Sequence, residues 1–138
     1  MNYTIITEND ESKWDDITGI KYHFPKRYLS ILLPGTKIIY YKGGINKKVF
    51  NSKRLSSQPH YFGIATINKI EDDGAKNHYA FLRDYREFPH AVPFKNNGDY
   101  LEKIPDNLKK NYWRIGVRGI DQALYEKIFN LAFSSLVK

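Results

Sequence analysis

The 138 residues include no cysteine. This removes disulfides, thiol nucleophiles and cysteine-ligated zinc, and is neutral to mildly favourable for a reducing compartment. No apolar run approaches the roughly 18 residues that a membrane span needs. Residues 1–16 are acidic where a secretory signal would be basic and then apolar. A soluble, unprocessed, cytoplasmic protein is the expectation, with no membrane partner. Proline is scarce, at 6 residues, while 41% of the chain is hydrophobic and 15% aromatic, which is far from the composition of a disordered chain. One domain over residues 1–138 would bury roughly two thirds of the surface its unfolded chain exposes, so a core forms without disulfides or metals.

The most telling shortage is of acid. Residues 17–70 contain no Asp or Glu but hold ten basic side chains, Lys21, Lys26, Arg27, Lys37, Lys42, Lys47, Lys48, Lys53, Arg54 and Lys69. The rest of the chain is slightly acidic, so the whole formal net charge of +7 originates in that one segment. Segregation of this kind favours a polyanionic partner. The alternative is a lysine-rich solvated surface.

Regular structure is legible in outline. Residues 3–7 read as a short β-branched strand, followed by an acidic loop with Trp14 embedded in it. Pro25 suits the start of a short helix over residues 26–33, which Pro34-Gly35 ends. Strands are expected at residues 36–42, with Tyr40 and Tyr41 pointing to opposite faces, and at 61–70, with Phe62, Ile64 and Thr66 on one face. The small residues Gly63 and Ala65 would let another element approach. Residues 45–59 read as a long basic loop. After the turn Asp72-Asp73-Gly74 a strand runs over 78–88 and pairs with the one before it. Residues 89–106 are irregular with room for one helical turn around 100–104, and the last strand is 112–117. Asp121 caps a broad-faced terminal helix through Leu136. The fold class is α+β: a small bent β-barrel of five to six strands, flanked by a short early helix and a C-terminal helix.

Catalytic patterns are missing. His23, His60, His78 and His90 fall at no metal-ligand spacing, and each reads as a surface or hydrogen-bonding histidine. Gly43-Gly44 lacks the remainder of a phosphate-cradling loop. No paired carboxylates stand beside a lysine in the manner of a metal-dependent nuclease, and Asp72-Asp73-Gly74-Ala75-Lys76 reads as a solvated turn. The expectation is a non-catalytic domain with no metal and no cofactor, whose catalysis, if any, resides in an attached nuclease or NTPase domain or subunit.

Aromatics are instead mixed with cations. Lys21-Tyr22-His23-Phe24-Pro25-Lys26-Arg27-Tyr28 is the densest instance, and Tyr40-Tyr41-Lys42, Tyr61-Phe62 and Trp113-Arg114 repeat the mixture. The order Tyr22-His23-Phe24-Pro25, Gly35, Ile38-Ile39-Tyr40-Tyr41, Tyr61-Phe62-Gly63-Ile64-Ala65, Asp84-Tyr85-Arg86-Glu87-Phe88 and Gly116-Val117-Arg118 resembles the PUA-like modified-base readers. These comprise the EVE, YTH and SRA-like domains, including those attached to modification-dependent restriction enzymes.

The resemblance implies a barrel that takes an extruded, often methylated, base between aromatic rings. Tyr22 occupies the position of a cage aromatic that is usually tryptophan in those families. Phe24, Tyr41, Trp14 and Trp113 are the further pocket candidates. Asp84 either accepts a hydrogen bond from a base amino group or pairs with Arg83 or Arg86. Lys21, Lys26, Arg27, Lys42, Lys47, Lys48 and Arg54 would hold phosphates without reading sequence. Extruding a base costs a few kcal/mol and aromatic stacking returns roughly 1–3 kcal/mol per ring, so two rings offset it. A methyl group contributes only about 0.8 kcal/mol, so discrimination also needs polar groups that the wrong base leaves unpaired. The expected partner is double-stranded DNA carrying a methylated or hydroxymethylated base, in a restriction system. An RNA-binding PUA or YTH-like module, a B3-like sequence reader without flipping, and an enzyme or small-ligand binder are the alternatives.

Overall fold

A computed structural model describes residues 2–8, 16–43, 55–56 and 58–134. Its frame is one six-stranded sheet that runs, from edge to edge, through Lys21–Pro25, Asn77–Pro93, His60–Asp72, Lys37–Lys42, Tyr3–Thr7 and Val117–Ile120. The strands are β1 (Tyr3–Thr7), β2 (Lys21–Pro25), β3 (Lys37–Lys42), β4 (His60–Asp72), β5 (Asn77–Pro93) and β8 (Val117–Ile120). β6 (Lys95–Asn96) and β7 (Asp99–Tyr100) form a separate small hairpin, and α1 (Gln122–Phe133) closes the described chain. β1 runs parallel to β3; every other neighbouring pair is antiparallel. Among the described residues no helix is long and apolar enough to cross a membrane.

The sheet has a core on each face, which explains why its central strands do not alternate. In β3, Ile38 and Tyr40 enter one apolar cluster with Ile6, Tyr22, Phe24, Leu32 and Ile67, while Ile39 and Tyr41 enter a second with Ile5, Tyr61, Ile64, Phe88 and Ile128 of α1. A strand buried on both sides reads as a continuous apolar run. Tyr40 and Tyr41 do point to opposite faces, yet both are buried, at 1% and 3% exposure.

Bulges curl the sheet. Opposite Ala65 on β4, between the pairs Ile64–Arg86 and Thr66–Arg83, β5 carries two residues, Asp84 and Tyr85, and Asp84 adopts a φ of 57°. Such insertions bend a strand and increase its twist. A second irregularity, at Phe62, breaks the alternation expected there: Phe62 shares its cluster with Ala65 and Ile67, whereas Ile64 joins Tyr61 on the opposite face. At the β4–β5 turn the Asp72 carboxylate accepts from the Gly74 N–H, and Asp73 accepts from Ala75 and Asn77, with Gly74 at φ 80°.

Several sequence expectations need correction. Residues 26–33 form no α-helix but a 3-10 helix, Lys26–Ile31, too short to gather a helix dipole at its start. Residues 112–117 are not a strand: Tyr112–Arg114 is a 3-10 turn, and the strand begins at Val117. β2 replaces what reads as a lead-in to a helix, β5 extends past Phe88 to Pro93, and no helical turn forms at 100–104. Asp121 does cap α1, accepting from the Leu124 N–H at 2.8 Å. The helix assignment stops at Phe133; residues 135–138 lie outside the described residues, as does most of the predicted loop at 45–59.

Gly63 fulfils the expected close approach. A Cβ there would meet the Tyr85 ring at 2.8 Å and the Arg86 carbonyl at 3.1 Å. Tyr85 is also set edge-on to Tyr40, whose hydroxyl accepts from the Gly19 N–H at 2.9 Å. Gly63→Ala is therefore expected to lower stability by about 1–3 kcal/mol through overpacking, measured by urea unfolding; a change within experimental error would show that Tyr85 has room to move.

Candidate functional site

The six-stranded sheet has two free edges, β2 and β8. At one end they approach each other, leaving a cavity of about 390 Å³ in the seam. β2 and the following 3-10 helix supply Tyr22, His23, Pro25, Arg27 and Tyr28. The segment leading into β8 supplies Trp113, Arg114 and Gly116, and Thr7 and Asp16 complete the lining. A methyl on Gly116 would lie 3.9 Å from the Tyr22 hydroxyl, so the two edges meet across this tyrosine.

Each wall is fixed by local chemistry. Tyr22 and Phe24 point inward because β2 alternates, and their rings stack at 6.3 Å. Burial, with Asp16 second, pushes the Tyr22 hydroxyl well above its ordinary pKa, so it enters the cavity as a neutral phenol. His23 faces the other way: its Nε2 lies 2.6 Å from Asp73 Oδ2 and its ring stacks on Tyr79 at 4.4 Å. That hydrogen bond is the main reason the Asp73 carboxyl is held below the usual carboxylate range. Asp16 Oδ1 accepts the His23 backbone N–H at 2.7 Å. The Arg27 guanidinium lies 4.8 Å over the Tyr28 ring, and Arg27 and Arg114 are both exposed. The site thus combines aromatic faces, one buried hydroxyl, one carboxylate and two arginines. Such a set suits a flat, hydrogen-bonding ligand attached to an anion.

Trp113 is held from behind by a buried ion pair. Glu102 and Arg118 are 2% and 4% exposed, with Arg118 Nε to Oε1 at 2.7 Å and Nη2 to Oε2 at 2.8 Å. The Tyr61 and Tyr112 hydroxyls each donate to the same carboxylate at 2.6 Å. Arg118 also donates to the Ile115 carbonyl at 2.8 Å and lies 5.1 Å from the Trp113 ring centre. Trp113 stacks on Tyr41 at 5.5 Å on its other side. Burial acts to lower the Arg118 pKa, but the Glu102 carboxylate outweighs it and the net shift is upward.

The structure brings together only part of the predicted set. Tyr22, Trp113 and Arg27 line the seam cavity; Lys21 and Lys26 flank it on β2 and the 3-10 helix. Phe24 is fully buried in the core and is no pocket wall. Tyr41 supports Trp113 without lining the cavity. Asp84 sits on the β5 bulge, outside the cavity, with its carboxylate paired to Arg83 at 2.7 Å. Lys42 lines a different cavity, packs over Phe62 and lies 3.9 Å from Glu8. Trp14, Lys47, Lys48 and Arg54 lie outside the described residues. Sequence reasoning missed Asp16, Glu102 and the role of Arg118. An acid directly before the acid-free segment and an arginine at the start of a strand are weak signals, and nothing local pairs Glu102 with Arg118. Among the described residues no cluster of His, Asp or Glu could hold a metal ion.

A curled sheet with seam and C-terminal helix in this order is the PUA-like fold. No family model matches the chain, and no curated protein matches it in sequence. Similarity emerges in three dimensions. The human THYN1 protein, in a complex with DNA containing 5-methylcytosine, superposes with a TM-score of 0.58 at 10% identity, over 96% of this chain and 98% of that one. Rpa0253 from Rhodopseudomonas palustris gives 0.57 at 12% identity, covering 100% and 96%. The N-terminal domain of McrB from Staphylothermus marinus gives 0.53 at 12% identity, covering 93% of each chain. At such identities the likeness establishes the fold.

Two outcomes follow from the buried centre. Arg118→Met leaves the Glu102 carboxylate buried without its countercharge and should cost about 3–5 kcal/mol in urea unfolding, with the double variant Arg118→Met, Glu102→Leu recovering much of it. Recovery of nothing would mean that the tyrosines, not the charge, carry the loss. Burial, first of all causes, also raises the hydroxyl pKa values of Tyr22, Tyr61 and Tyr112 above the ordinary 10.0. Their folded-state values exceed the unfolded ones, so this stabilisation is complete below pH 10 and is lost as pH rises beyond it. Tyrosinate absorbance should therefore show a late fraction that ionises together with loss of near-UV circular dichroism. Smooth titration of all tyrosines with the fold intact would contradict the assignment.

Proposed function

We propose that this chain is a DNA-reading domain, with no chemistry of its own, that holds one modified base extruded from a duplex in the seam cavity and serves a modification-dependent restriction system. The observation that carries the reading is the cavity's composition: Trp113 and Tyr28 rings, a neutral Tyr22 phenol, the Asp16 carboxylate, and exposed Arg27 and Arg114. The fold shared with THYN1, bound there to 5-methylcytosine DNA, and with the McrB N-terminal domain supports it. In this reading Trp113 and Tyr28 stack the base, which offsets the few kcal/mol that extrusion costs. Asp16 accepts from an exocyclic amine, the part that the sequence offered to Asp84. The Tyr22 hydroxyl at the floor penalises a base that leaves it unpaired. Arg27, Arg114 and Lys26 hold phosphates. Residues 1–138 act as one domain in the cytoplasm, coupled to a nuclease or NTPase domain or subunit.

The test is a binding series at one stated salt concentration, using duplexes with 6-methyladenine, 5-methylcytosine, 5-hydroxymethylcytosine or no modification, and a matched RNA. One modified duplex should bind tighter than plain DNA. Tyr22→Phe should erase that preference while leaving plain-duplex affinity unchanged. Trp113→Ala, checked for folding, should weaken the modified duplex by about tenfold. Arg114→Ala should weaken all duplexes alike and lower the salt slope by about 1. Equal binding of modified and plain duplexes would end the modified-base reading, and tightest binding of the RNA would move the site to RNA.

A further inference from the structure

The outer face of β2, β5 and the far half of β4 carries a second set of aromatic rings that neither core uses. Tyr22, Phe24, Ala80, Leu82, Ile67 and Ile70 of these strands pack into the inner cluster. Alternation therefore turns Lys21, His23, Tyr79, Phe81 and Lys69 to the opposite side. Their mutual contacts agree: the His23 and Tyr79 rings stack at 4.4 Å, Tyr79 and Phe81 follow at 6.0 Å, and Tyr79 and Phe81 belong to no core cluster. Lys21 Nζ lies 5.0 Å over the Tyr79 ring and Lys69 Nζ 5.2 Å over Phe81.

We infer that this face binds unpaired nucleotides of a single-stranded nucleic acid, with bases stacked on Tyr79 and Phe81 and phosphates held by Lys21 and Lys69. The occupant follows from the pairing of surfaces. Rings with ammonium groups over their faces match a ligand that alternates flat π faces with anions, each base taking the place of an ammonium that swings out to the adjoining phosphate. An intact duplex offers phosphates but hides its base faces, and an apolar peptide would leave the lysines unused. Lys69 is 58% exposed and its 2.8 Å pair with Glu71 is equally open to water, so exchanging that carboxylate for a phosphate costs little. His23 remains fixed by Asp73 and serves as the inner border of the platform, with its other flank at the seam cavity. The inference does not depend on the cavity taking a base.

The full chain is titrated with labelled octamers of thymidylate and of uridylate at about 50 mM salt. Both should bind, and the double variant Tyr79→Leu, Phe81→Leu should lose about tenfold or more on both, since leucine keeps apolar cover but has no π face. Tyr79→Phe, which keeps the π face, should bind like the parent. Comparable affinity for the two octamers assigns the platform to unpaired strands of either sugar; tighter uridylate assigns it to RNA. Binding of the leucine double variant within about twofold of the parent, or no binding of either octamer by the folded parent, would overturn the inference, whatever the modified duplexes show.

Discussion

The Glu102 carboxylate and the Arg118 guanidinium are both withdrawn from water, a position that stabilises a fold only when the remaining lone pairs and N–H groups are satisfied as well. Here they are. Four donors converge on Glu102, from Tyr61, Tyr112 and two nitrogens of Arg118. The contributors come from β4, the 3-10 turn at Tyr112 and β8, while Arg118 also lies over the Tyr41 ring of β3 and reaches Ile115 and Thr7 beside β1. One ion pair thus spans four adjacent strands. It also fixes the segment that carries Trp113 and Arg114, so the wall of the seam cavity rests on the same charges as the sheet.

The seam itself follows from incomplete closure. A sheet curled by bulges on β4 and β5 brings β2 round toward β8 without pairing them. Free edges are an aggregation hazard unless covered or occupied. In this protein Tyr22, Trp113 and the 3-10 helix after Pro25 fill the approach, and the space they leave is of ligand size. A fully closed barrel would have removed both the edge and the cavity.

What could be read from sequence was what is encoded locally. β1 and β3 are legible because β-branched and aromatic residues suit buried strands, the β4–β5 turn because Asp72, Asp73 and Gly74 satisfy it themselves, and the start of α1 because Asp121 caps it three residues on. The errors fall where side chains serve distant partners. Tyr112 and Trp113 have strand-like composition, but they cover Glu102 and Arg118, and a 3-10 turn delivers both rings to one place. Tyr61 and Glu102 stand 41 positions apart, which no periodicity reveals. β2 did announce itself, with Tyr22 and Phe24 two apart between polar neighbours, but the following proline and cations drew the reading toward a helix start. Asp84 looked like a base reader through resemblance; the bulge that turns it outward is invisible in one sequence.

The acid-free segment gains a sharper meaning from this geometry. Its cations separate by face. Lys42 is folded against Glu8 and Phe62 beside another cavity. Lys37 is directed at Thr66 within the sheet. Lys21, Lys26 and Arg27 cluster along β2 and its 3-10 helix, at the edge of both the seam and the outer ring platform. Charge without position can raise the encounter rate with any polyanion. Under the proposed readings, the three that share an edge with aromatic rings would hold a phosphate within reach of a surface where its base can stack, and that coupling, rather than net charge, would turn attraction into a bound geometry.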